Sequence, residues 1–217
     1  MNTPLPIAVL ISGTGSNLKA LIDAKKQGLA IEFRIVISNQ PEAPGLQYAQ
    51  QANIPTRVLS HTQYPNRQAY DTALANLLDQ YQPELIVLAG FMRKLTPEFV
   101  HQYYGKTINL HPALLPKLRG LNTFNRALEA GESEHGSSVH FVSADVDAGP
   151  IIAQVRFTIA QEDTADDLQR KTKALEHQLL PYVIKLFAQD QIQLKDHHVY
   201  LRSTRLPPEG TDLTEII

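Results

Sequence analysis

The chain of 217 residues contains no cysteine. That excludes disulfides, thiolate zinc sites and a cysteine nucleophile, and it fits a reducing compartment. No apolar run is long enough to span a bilayer. The opening stretch, Met1 to Pro6, lacks the basic start and apolar run of a signal peptide. A cytoplasmic protein with no membrane partner is expected. There is no basic field either: 20 Lys and Arg stand against 22 Asp and Glu, for a net charge of −2. A nucleic-acid partner is therefore not expected, although a small anion needs only local donors. The eight histidines include His197-His198 but show no closed metal-ligand spacing, so no metal is expected. Flexible linkers, internal repeats and low-complexity segments are also missing. One domain over residues 1–217 is the economical reading.

What is present is a core-sized apolar share, 43% of residues, arranged in alternating patterns. The short continuous apolar run Ile7–Ile11 reads as a strand buried on both faces, and Phe33–Ile37, Thr56–Leu59, Leu85–Ala89 and Thr107–Leu110 read as further strands. Helical patterns from Asn17, over Leu46–Ala52, Asn66–Tyr81 and Pro97–Tyr103 separate them. Repeated strand–helix–strand units imply an α/β, doubly wound, mostly parallel sheet of Rossmann-like type. Farther on, Ser138–Val142 and Ile151–Ile159 read as an antiparallel hairpin, and Thr164 caps a long helix to about Gln189. The tail from Asp190 reads as short strands and loops.

Between the first strand and first helix lies Gly13-Thr14-Gly15-Ser16-Asn17. Glycines there let backbone approach an anion, and the helix start presents free N–H groups. A dinucleotide fingerprint would need a glycine where Leu18 stands and an acid where the second strand ends in Ser38-Asn39. A P-loop would need a lysine directly after Gly15. A phosphate or phosphomonoester site remains, beside the plainer alternative of a capped tight turn.

Asn109-Leu110-His111-Pro112 closes a predicted strand, at the sheet edge where open α/β folds bind ligands. Residues two apart on a strand face one way, so Asn109 and His111 can serve one pocket. By the same alternation Ser138 and His140 share a face. Asp147 follows in the turn Asp145-Val146-Asp147-Ala148-Gly149-Pro150, where an ordinary hairpin turn would also place an Asp.

Together with Leu88–Arg93, Ile108–Lys117, His135–Phe141 and Arg205-Leu206-Pro207-Pro208-Glu209-Gly210, these segments resemble the phosphoribosylglycinamide formyltransferase family, in family order over nearly the whole chain. The resemblance implies direct formyl transfer from 10-formyltetrahydrofolate to the amine of glycinamide ribonucleotide in purine synthesis, through a tetrahedral oxyanion and without metal. It implies Asn109, His111 and Asp147 as the catalytic set, with Asp147 orienting His111 and favouring its protonated form. It places the nucleotide phosphate on Gly15, Ser16 and Asn17 and the glycinamide end on Glu176. Arg67, Met92, Arg93, Lys94, Leu95 and Asn109 would face folate, with His140 and Ser138 in support. The half 1–110 would hold the nucleotide phosphate, and 111–217 the folate and catalytic groups. A monomer or weak homodimer acting on small molecules is expected. Phe124 and Asn122 stand where members of the family often carry histidine, and Lys94 where an apolar residue is common. The alternatives are a formyltetrahydrofolate hydrolase, a methionyl-tRNA formyltransferase lacking its extra domain and basic surface, or a non-catalytic folate- or nucleotide-binding module.

Overall fold

The computed structural model describes residues 3–216. Met1, Asn2 and Ile217, the extremes of the expected domain, lie outside the described residues. The chain divides into two compact units, the first closing at Asn109 and the second opening at Leu110.

The first unit runs β1 (Leu5–Ile11), α1 (Ser16–Lys26), β2 (Ile31–Ser38), α2 (Gly45–Gln51), β3 (Thr56–Val58), α3 (Arg67–Tyr81), β4 (Leu85–Leu88) and α4 (Pro97–Gln102), then enters β5 (Thr107–His111). The strand order is β3-β2-β1-β4-β5, with every pairing parallel. Ile7, Ala8, Val9, Leu10 and Ile11 are all fully buried, as a central strand covered on both faces requires. Right-handed crossovers put α1 and α2 on one face and α3 and α4 on the other. Accordingly α1 packs on α2, and α3 on α4. Strand order reverses between β1 and β4, which makes their carboxyl edge the ligand position of such a sheet. The helix starts follow their caps: Asn66 accepts from the Ala69 N–H, and Thr96 from the Phe99 N–H with Pro97 in the first turn.

The second unit contains α5 (Thr123–Glu129), β6 (Glu134–Phe141), β7 (Ile151–Thr158), α6 (Ala165–Ala188), β8 (Ile192–Lys195), β9 (His198–Leu201), β10 (Thr204–Arg205) and β11 (Thr211–Asp212). β6 and β7 form the expected antiparallel hairpin, β11 adds to β7 in parallel, and β8, β9 and β10 make a small antiparallel sheet. α6 begins with a complete capping box between Thr164 and Asp167 and lays Leu168, Leu179, Val183 and Ile184 against β6 and β7.

Three features depart from the sequence reading. β6 begins at Glu134, four residues before the expected Ser138, because its polar start is buried and hydrogen-bonded rather than looped. The pairing with β7 shifts register between Val139 and His140, where Ile152 of β7 is skipped, a bulge in the hairpin that the sequence does not signal. Helix α5 carries only Thr123 and Ala127 as buried residues, too few for a helical period to show.

Candidate active site

The glycine loop is shaped by close backbone packing. Gly15 has φ 71°, and a Cβ there would sit 2.5 Å from the Cα of Gly45. The Gly45 N–H donates to the Gly13 carbonyl at 3.0 Å, fixing the loop against the start of α2. α1 opens at Ser16 with no side-chain cap and no acidic residue in its first turn. Its leading N–H groups and positive dipole end therefore face outward without a competing carboxylate. Gly15, Ser16 and Asn17 thus form the passage from the loop into the first turn of α1.

The segment after β4 carries the residues assigned to folate. Met92 is 66% exposed and Leu95 is buried. Arg93 lies over the Tyr70 ring, 4.5 Å from its centroid. Asp71, buried beside them, accepts the Thr96 N–H at 2.6 Å. Burial raises the Asp71 pKa, against that hydrogen bond and the charges of Arg93 and Arg67. Both arginines therefore act on one neighbourhood of α3. Arg67 and Lys94 are exposed.

In the second unit the candidate site is built around His111, which is 3% exposed at the end of β5. Its Nδ1 lies 3.3 Å from Asp147 Oδ2, and its Nε2 lies 2.9 Å from the Leu118 carbonyl. Both ring nitrogens thus face acceptors, an arrangement that a doubly protonated imidazole satisfies. Burial opposes that charge and is the larger effect, so the His111 pKa falls below its ordinary 6.5 despite the pull of Asp147 and Leu118. Asp147 acts in the expected direction, favouring the protonated ring, but desolvation outweighs it.

Asp147 is itself a meeting point. Its Oδ2 accepts the Gly120 N–H at 2.9 Å, and its Oδ1 lies 3.6 Å from His140 Nε2. Burial pushes its pKa up, but His140, the His111 charge and the Gly120 N–H together hold it below the usual carboxylate range. The turn that presents it is tightly fitted. Asp147 has φ 48°, and a Cβ on Gly149 would lie 1.8 Å from the Phe141 carbonyl oxygen. His140 donates from Nδ1 to that same carbonyl at 2.8 Å, which turns Nε2 toward Asp147.

Support comes from β6. Ser137 Oγ lies 2.8 Å from the His111 carbonyl and 3.2 Å from Glu176 Oε1, so one hydroxyl proton is shared between two acceptors. Glu176 is 6% exposed on α6, a buried carboxylate and not a solvated helix charge. Ser138 donates to the Ala113 carbonyl and accepts the Leu115 N–H, holding the loop that follows His111. Sequence reasoning missed Ser137, the Leu118 carbonyl and the Gly120 N–H. Only Ser137 had a signal, as the neighbour of an already suspected serine. Phe124, at a position of departure, packs at a tilt against the buried His135, with ring centroids 5.3 Å apart. The motif Arg205–Glu209 lines a cavity of about 490 Å³ together with Arg119 and Asp147. Among the described residues no cluster of three or more His, Asp or Glu could hold a metal ion.

Three comparisons bear on this geometry. Residues 5–184 match the family model described as formyl transferase. The chain is 45% identical over 205 residues to a phosphoribosylglycinamide formyltransferase of Escherichia coli K12, covering 94% of this chain and 97% of that one. It is 43% identical over 192 residues to the human trifunctional purine biosynthetic protein adenosine-3, covering 88% of this chain and 19% of that one. A solved phosphoribosylglycinamide formyltransferase from Coxiella burnetii superposes with a TM-score of 0.94 at 51% identity, covering 96% of this chain and 99% of that one.

Proposed function

The chain belongs to the formyl transferase family, and we propose that it moves a formyl group from 10-formyltetrahydrofolate to the amine of glycinamide ribonucleotide in purine biosynthesis. One observation carries the residue-level reading: a buried histidine at the end of β5, two residues after Asn109, engaged by an anionic Asp147. In the proposed step the amine nitrogen attacks the formyl carbon. The carbonyl electron pair moves to oxygen, giving a tetrahedral oxyanion. The Asn109 amide donates to that oxygen, a type of contact typically worth about 3 kcal/mol of barrier. The new negative charge also raises the proton affinity of His111, which is neutral beforehand. His111 takes up the proton shed by the amine and gives it, through a water, to the folate nitrogen, so the ring ends neutral again. The bond from carbon to that nitrogen then breaks and the carbonyl re-forms. Asp147 keeps the ring oriented and stabilises its transient charge.

The ribonucleotide phosphate rests on Gly15, Ser16 and Asn17, where α1 offers uncapped N–H groups. Glu176 receives the glycinamide end as a buried carboxylate. Met92, Arg93, Lys94 and Leu95 border the folate, with Arg67 and Arg93 meeting its carboxylates. The protein works in the cytoplasm as a monomer or weak homodimer, on small molecules and without nucleic-acid or membrane partners. The slightly acidic charge argues against a nucleic-acid partner, and no helix among the described residues is long and apolar enough to cross a membrane. The test is turnover of 10-formyltetrahydrofolate, followed by absorbance without added metal. Release of tetrahydrofolate only when glycinamide ribonucleotide is present supports the reading. Cleavage without acceptor would make the protein a hydrolase.

A further inference from the structure

Ser12 stands at the mouth of the glycine loop, where a hydroxyl would ordinarily be read as one more phosphate donor. Its bonds point elsewhere. Beyond the end of β4 the ladder with β1 continues: the Ala89 N–H donates to the Leu10 carbonyl at 2.9 Å, and the Ser12 N–H donates to the Gly90 carbonyl at 3.0 Å. Gly90, at φ 77°, then turns the chain so that Met92 comes back over Ser12. There the Met92 N–H donates to Ser12 Oγ at 2.8 Å. The same hydroxyl donates to Asn39 Oδ1 at 2.5 Å. Asn39, the residue after β2, is 1% exposed, and its Nδ2 reaches toward His61 Nδ1 at 3.4 Å. A hydroxyl has one proton. Here that proton goes to Asn39, so none is left for a phosphate oxygen.

We infer that Ser12 is a positioning residue for the folate side of the reaction: it ties the ends of β1 and β2 to the segment Gly90–Leu95 and so fixes the wall formed at Met92. This rests on the reading of Met92–Leu95 as folate-binding. A consequence is that the Met92 N–H is spent within the protein. The backbone group that Met92 can present to the polar edge of a flat heterocycle is therefore its carbonyl, an acceptor.

The test uses the full chain with Ser12→Ala and Ser12→Thr, the second keeping the hydroxyl. Thermal melting first establishes that both variants fold. Ser12→Ala should speed hydrogen exchange at the Met92 amide in the free protein. It should weaken tetrahydrofolate binding, measured by calorimetry, about fivefold to tenfold, the effect of losing one hydrogen bond. The KM for glycinamide ribonucleotide should stay within about twofold, and Ser12→Thr should restore both other properties. Should Ser12→Ala not fold, Asn39→Ala in the same measurements tests the same tie and should also speed Met92 exchange. Unchanged Met92 exchange overturns the inference. So does a rise in the ribonucleotide KM with folate binding intact, which would return Ser12 to the phosphate loop. Faster Met92 exchange with unchanged folate affinity overturns it through its premise, because Met92 would then not border folate.

Discussion

At the scale of single residues, His111 is governed by two opposed effects. Asp147 and the Leu118 carbonyl favour a proton on each ring nitrogen, whereas burial disfavours the charge and prevails. The folded pKa therefore lies below 6.5. Because kcat/KM reports groups in the free enzyme, it should be level from neutral pH upward and fall on an acid limb below 6.5, as His111 gains the proton it must be free to accept. Asp147→Asn removes a charge that raises this pKa, so the limb should move to lower pH while kcat drops. A pH–rate profile whose acid limb stays in place would show that Asp147 does not act on the His111 charge. That Asn109 and His111 lie at the end of one strand was legible from the apolar run before them. The Leu118 carbonyl was not, since no side chain marks a backbone acceptor delivered by a residue at φ 54°.

Among elements, the glycine loop is shaped by more than its own spacing. Its geometry depends on Gly45, thirty positions away in the sequence, which the loop touches backbone to backbone. Gly15→Ala would combine a strained positive φ with a methyl 2.5 Å from the Gly45 Cα. A loss of about 2 kcal/mol or more in denaturant unfolding is expected, with a ribonucleotide KM raised at least about tenfold and tetrahydrofolate binding preserved. Normal stability and KM would mean that the loop neither packs on α2 nor receives the phosphate. Turn chemistry hid other elements. The hairpins of β8, β9 and β10 turn at Asp196-His197 and Arg202-Ser203, all four at positive φ and none a glycine, so the usual Asn-Gly or Asp-Gly signal was missing. The start of β6 was hidden because His135-Gly136-Ser137-Ser138 reads as polar loop, whereas pairing with β7 makes it a strand and buried acceptors at His111, Ala113 and Glu176 satisfy its serines.

On the scale of the whole molecule, the alternation of apolar runs with helical patterns carried the fold class, and two buried histidines set its acid stability. His111 and His135 both have pKa values lowered by burial from 6.5. The unfolded chain therefore binds protons at mild acidity that the folded chain refuses, and stability falls as pH drops through 6.5 toward the folded values. Thermal melts should be level above pH ~7 and decline below it, before the carboxylates titrate near pH ~4. His135→Leu, which keeps an apolar partner for Phe124 and Phe157, should flatten that decline. An unchanged slope would remove His135 from this account.

The central claim is that His111, beside Asn109 on β5, is where the formyl group changes hands. The most direct measurement is tetrahydrofolate release from 10-formyltetrahydrofolate with and without glycinamide ribonucleotide, for the wild type and His111→Ala. The account predicts acceptor-dependent turnover that drops by about a hundredfold or more in the variant, with binding of both ligands within about twofold. Turnover in His111→Ala equal to the wild type would contradict it.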